Sequence, residues 1–129
     1  MQTLTRKQLE EKMESNDNAV LIDVLSTEQY KQQHIPGAIN IPKDAPDFIQ
    51  QVQNMTSNKT QDVIVYCAGK SCNTSEMAAE KLIQAGFSNV QDFTGGIEEW
   101  KQSGCSVKAG DKAGTFGKKS GSCGTSSCS

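Results

Sequence analysis

The 129-residue chain reads as an α/β domain with a central parallel sheet and helices on both of its faces. Three observations predict this. Residues 19–24 and 62–66 are short apolar runs, the first suited to a strand covered on both sides. Stretches with helical start signals alternate with those runs, and such alternation yields a parallel sheet flanked by helices. The length suits one domain, large enough to bury a core without disulfide staples.

The first helix signal is Thr5, which can cap while Gln8 returns the bond, with Leu4 set to pack on Leu9. That is a capping box with a hydrophobic staple. Residues 19–24 form the first strand. Ser26 repeats the helix signal, with Gln29 at the reciprocal position and Leu25 and Tyr30 as the staple pair; this helix should end near Gln33. His34-Ile35-Pro36-Gly37 is a turn, because Pro36 disfavours helix at Ile35 and Gly37 permits unusual angles. A short strand covers 38–41. A helix over 44–55 places Phe48, Ile49, Val52 and Met55 on one face. Asp62-Val63-Ile64-Val65-Tyr66 is apolar and β-branched, a strand that runs directly into Cys67. After a loop, a helix reaches about Ala85, with Ala78, Ala79, Leu82 and Ile83 inward and Gly86 as its stop. Residues 89–93 are the last strand. Gly95-Gly96 opens a final helix through the core residue Trp100, and Gly104 ends it.

Residues 1–107 are assigned to the domain and residues 108–129 to a flexible tail rich in Gly, Ser and Lys that holds Cys123 and Cys128. Few apolar residues in that tail could offset its ordering entropy. The tail is basic, with Lys108, Lys112, Lys118 and Lys119 against Asp111, on an acidic body. A net charge of -2 gives no footprint for nucleic acid. No apolar run reaches membrane-spanning length, and no apolar segment follows Met1 as a secretion signal would require. A soluble, cytoplasmic chain is therefore expected. The five cysteines are an odd count, which fits thiols in a reducing compartment better than a disulfide framework. Cys123 and Cys128 are too few for a metal site and have no histidine nearby, so no metal and no cofactor is implied.

Cys67 is the residue that points to chemistry. It sits where a buried strand ends and a helix is about to begin, and open α/β sheets place ligands at the carboxyl ends of their strands. The segment Ala68, Gly69, Lys70, Ser71, Cys72, Asn73 and Thr74 contains small residues whose backbone N–H groups can approach a guest. Those groups and the following helix N-terminus favour negative charge, a nucleophilic thiolate included. The alternative is a buried structural cysteine, since Cys is among the most buried residue types. Cys72 shares the loop with Cys67 and has two readings. It is a resolving cysteine that attacks an oxidised or sulfur-loaded Cys67, or it turns inward onto Met77 ahead of a helix capped by Asn73 with Glu76. Lys70 either assists an anionic donor or is a solvated loop lysine. His34 and Asp23 are expected to brace the loops around the site rather than react.

Three separated segments resemble a known family. Leu21-Ile22-Asp23-Val24, followed by Glu28-Gln29-Tyr30 and by residues 34–42, is similar to the N-terminal signature of the rhodanese family. Val65-Tyr66-Cys67 resembles its active-site strand and cysteine, and Gly95-Gly96-Ile97-Glu98-Glu99-Trp100 with Gly104 its C-terminal signature. The resemblance runs from about Leu4 to Val107. It implies a rhodanese-like parallel sheet flanked by helices and a persulfide cycle on Cys67. Leu25 stands where many members have Arg, Cys105 where they have Pro, and the active loop is longer than usual with Lys70 as its one cation. The implied function is sulfurtransfer from a donor (thiosulfate, polysulfide or a persulfide) to a thiophilic acceptor, either a small thiol or a sulfur-accepting protein. The alternative is a non-catalytic redox-sensing or partner-binding module that uses the Cys67/Cys72 pair. A phosphatase or arsenate reductase would need Arg six residues after the cysteine to fork onto an oxyanion. That position is Asn73, and the only arginine is Arg6.

Overall fold

The computed structural model describes residues 2–14, 19–35, 37–56, 58–69, 73–104 and 107. Ten elements follow in order: β1 (Gln2–Leu4), α1 (Arg6–Glu14), β2 (Val20–Asp23), α2 (Thr27–Gln32), β3 (Ile39–Asn40), α3 (Phe48–Met55), β4 (Val63–Tyr66), α4 (Thr74–Gln84), β5 (Val90–Phe93) and α5 (Gly96–Gln102). The sheet is five-stranded, in the order β1-β5-β4-β2-β3, and every pair is parallel. Among the described residues no helix is long and apolar enough to cross a membrane.

The inner strands β2, β4 and β5 are buried almost throughout, as the apolar runs of β2 and β4 predict, while β3 at the edge is more exposed. Alternate residues feed two cores. Leu21, Ile64, Tyr66 and Phe93 pack with Leu9 of α1, Tyr30 of α2 and Ile97 and Trp100 of α5. Ile22, Val63, Val65, Cys67 and Val90 pack with Phe48 and Val52 of α3 and Ala78, Ala79 and Leu82 of α4. Consecutive residues 66 and 67 therefore face opposite sides of the sheet.

Local signals account for the starts of α1 and α2 and for the end of α4. The Thr5 backbone N–H donates to Gln8 Oε1 at 2.9 Å and the Gln8 N–H to Thr5 Oγ1 at 3.1 Å, the reciprocal pair the sequence predicts. The Gln29 N–H likewise donates to Ser26 Oγ at 3.3 Å. At the end of α4, Gly86 adopts a φ of 105°, with the Phe87 N–H on the Leu82 carbonyl and the Gly86 N–H on the Ile83 carbonyl. This is the left-handed stop that glycine allows.

Several expectations change. β1 was not foreseen; Gln2, Thr3 and Leu4 become a strand by pairing with β5. The third helix starts at Phe48 rather than at residue 44, since Pro46 disfavours helix at Ala45 and residues 42–48 make successive turns. Ile83, expected inward, is 39 % exposed, because the buried stripe of α4 runs through Ser75, Ala78, Ala79 and Leu82. Leu25, expected to staple onto Tyr30, packs against the other core. Asn73 occupies the N-cap of α4 without a side-chain capping bond. Residues 108–129 lie outside the described residues.

Candidate active site

Cys67 follows β4, which has β2 on one side and β5 on the other, so the thiol sits at the carboxyl end of the middle of the sheet. Helical and strand connections diverge there, where open parallel sheets bind ligands. Cys67 is only 1 % exposed. Its Sγ donates to Ser75 Oγ at 3.5 Å, and the Ser75 hydroxyl donates to Asp92 Oδ1 at 2.7 Å. Ser75 lies in the first turn of α4 and Asp92 on β5, and both are buried. Burial pushes the Asp92 carboxyl up; the Ser75 hydroxyl pulls it down, and Glu76 pushes it up again.

The backbone around the thiol is clamped by α5. The Ile97 N–H donates to the Cys67 carbonyl at 3.0 Å and the Glu98 N–H to the Ala68 carbonyl at 2.9 Å. Two N-terminal helix donors that would otherwise need capping are thereby satisfied by the loop. Gly96, with a φ of 65°, makes the close approach feasible: a Cβ there would collide with the Cys67 carbonyl and meet Gly69 N at 2.7 Å. Gly69 is itself buried, and a Cβ on it would lie 2.6 Å from Glu98 Oε1. The family signature residues Gly96, Ile97 and Glu98 thus act on the loop backbone.

On the other face, Asp23 organises the connections beside the site. Its Oδ1 accepts the Leu25 N–H at 2.8 Å and its Oδ2 the Tyr66 hydroxyl at 2.9 Å. The Tyr66 oxygen in turn accepts the Ile35 N–H at 3.0 Å. Burial pushes the Asp23 carboxyl up to about 6, although the Leu25 N–H, the Tyr66 hydroxyl and His34 all pull it down. Burial, with Asp23 beside it, drives the Tyr66 phenol well above its ordinary range. His34 is fully buried, stacks on Tyr30 with ring centroids 3.8 Å apart, and its Nδ1 donates to the Tyr30 carbonyl at 2.9 Å.

Of the site residues the sequence singles out, Cys67, Ala68, Gly69, Asn73, Thr74, Asp23 and His34 lie among the described residues; Lys70, Ser71 and Cys72 do not. Asp23 and His34 reach Tyr66 and Tyr30, on the face opposite the thiol. Ser75 and Asp92 were missed. Their signal was available: Gln91 and Asp92 are adjacent polar residues that point to opposite faces of the strand read over 89–93, and polar groups buried in a sheet require partners. A cleft of about 280 Å³, lined by Leu25, Ser26, Pro42, Lys43 and Thr74 among others, opens beside the start of α4. It brings Lys43, unnoticed in the sequence, to the same end of the sheet.

A five-stranded parallel sheet with helices on both faces, a cysteine buried at the end of its central strand and a glycine-led helix against that cysteine's carbonyl make up a rhodanese-like fold. The chain belongs to the rhodanese-like domain family, whose profile matches residues 5–103. It is similar to the adenylyltransferase and sulfurtransferase UBA4 of Candida albicans, at 39 % identity over 63 % of this chain and 19 % of that protein. It is also similar to thiosulfate sulfurtransferase 16, chloroplastic, of Arabidopsis thaliana, at 34 % identity over 68 % of this chain and 78 % of that one. Among solved structures, the BH2092 protein of Bacillus halodurans superposes with a TM-score of 0.73 at 30 % identity, covering 92 % of this chain and 86 % of that one. The chain spans about a fifth of the length of the UBA4 proteins it matches.

Proposed function

We propose that this protein is a sulfurtransferase that carries sulfane sulfur as a persulfide on Cys67. The observation that supports it most is the seat of that thiol, at the end of β4, on a backbone held by the α5 amides. The Cys67 thiolate attacks the sulfane sulfur of a donor. A new S–S bond forms at Sγ while the donor's own bond to that sulfur breaks, its electron pair departing with the leaving group. An acceptor nucleophile then takes the outer sulfur and returns Cys67 as thiolate. This is covalent catalysis in two halves, without a metal. The nearly closed thiol favours donors that present one sulfur at a narrow tip, as thiosulfate, polysulfide and persulfides all do. Relatives named for sulfurtransfer support the same reading.

The test is mass spectrometry of the reduced protein after thiosulfate and, separately, polysulfide. One added sulfur on the Cys67 peptide, released by cyanide and absent in Cys67→Ser, is the expected result. No adduct with either donor, with a Cys67–Cys72 disulfide instead, would replace this function by a redox module.

A further inference from the structure

The hydrogen-bond chain behind Cys67 has a direction. A serine hydroxyl owns one hydrogen. In Ser75 that hydrogen is given to Asp92 Oδ1, at 2.7 Å, so Ser75 meets the Cys67 sulfur with a lone pair and accepts from S–H. The arrangement suits a thiol. A thiolate in the same place would face an oxygen lone pair backed by a carboxylate.

We propose that Asp92, acting through the Ser75 hydroxyl, controls the protonation of Cys67, one proton being shared along the chain. The inference rests on Cys67 being the sulfur carrier and names the groups that ready it. When the thiolate forms, the Cys67 S–H bond breaks and its electron pair stays on sulfur. Ser75 Oγ takes that proton as its own hydroxyl proton passes to Asp92 Oδ1. The negative charge moves from carboxylate to sulfur, nothing is oxidised, and the reversed chain donates to the thiolate.

Three features support this. All three side chains are buried, so water does not compete for the hydroxyl. Asp92 is held above its ordinary value by burial, which prepares it to keep a proton. Among the described residues, the titratable groups facing Asp92 are Cys67 after β4 and Glu76 on α4, while its ladder neighbours Val65 and Thr3 are uncharged. Asp92 is a positioning residue in this scheme, since it reaches the reacting sulfur through Ser75.

The experiment is a pH titration of thiolate ultraviolet absorbance in the full chain. Each protein is read against the same protein carrying Cys67→Ser, which removes the signal of the other four cysteines. In Asp92→Asn the amide donates permanently to Ser75 Oγ and the opposing charge is gone. The Cys67 midpoint should then fall by about one unit, about ten-fold more thiolate at a fixed pH below it. With Ser75→Ala already present, Asp92→Asn should move the midpoint far less, because the coupling runs through the hydroxyl. An unchanged midpoint in Asp92→Asn, or an equal shift with and without the Ser75 hydroxyl, would overturn the proposal. Carbon NMR of the Asp92 carboxyl in the unaltered protein reads the same coupling from the other end. A second inflection at the Cys67 midpoint, lost in Ser75→Ala, is expected, and its absence would count equally against the chain. Persulfide loading of the same preparations separates the two claims: sulfur on Cys67 with no coupling sinks only the shared proton, whereas coupling without sulfur loading sinks only the carrier.

Discussion

Asp23→Asn tests how burial is offset at the anchoring face. The Asp23 carboxyl is fully buried and pushed from 3.8 to about 6, so between those values the native state binds the proton more tightly than the unfolded chain. Stability from this group is complete below the unfolded value and is lost as pH rises through the folded one. Just over two units correspond to about 3 kcal/mol lost between acid and neutral pH. Asparagine keeps the shape and can still accept the Leu25 N–H, but it does not titrate. It cannot accept the Tyr66 hydroxyl at its nitrogen, which costs about 1–3 kcal/mol at every pH. The variant should therefore be the weaker protein at pH 4 and draw level with the unaltered one near pH 7. Urea unfolding of both proteins across that range, plotted as their difference, isolates Asp23 from the other carboxylates. A difference that stays constant from pH 4 to 8 would show that the carboxyl is not held near 6.

Gly96→Ala should cost at least about 1–2 kcal/mol from the left-handed backbone alone, and the methyl must also push on the Cys67 carbonyl. Sulfur loading of Cys67 should fall more than stability does, as read by mass spectrometry on the folded variant. Tyr66→Phe removes both the donor to Asp23 and the acceptor of the Ile35 N–H. It should destabilise by about 1–3 kcal/mol and move the Asp23 titration upward, measurable by calorimetry and carboxyl NMR.

The features written locally were legible. Capping boxes at Thr5 and Ser26, the apolar runs of β2 and β4, and the Gly86 stop each need only neighbouring residues to be recognised. β1 was not legible, because three residues with no alternation are made a strand by partners some ninety positions away. The late start of α3 was legible in principle from Pro46, whose effect on Ala45 outweighed the helical spacing of the apolar residues. In the site, Cys67 stood out by its place after a buried strand. Ser75 and Asp92 did not, since a helix residue and a strand residue seventeen positions apart become partners only when α4 packs on β5. The face of the sheet on which Asp23 and His34 act was equally hidden, because it follows from strand register.

The pairing of β1 with β5 also sets an order of assembly. A chain emerging from the ribosome cannot seat Gln2–Leu4 until residue 93 has been made, and it cannot grip the Cys67 carbonyl until residue 97 has followed. Long-range pairing of this kind is slow to reward the closure it requires. The thiol-bearing backbone is thus among the last parts to be fixed. During synthesis the Cys67 thiol stays unenclosed until the sheet that buries it is whole.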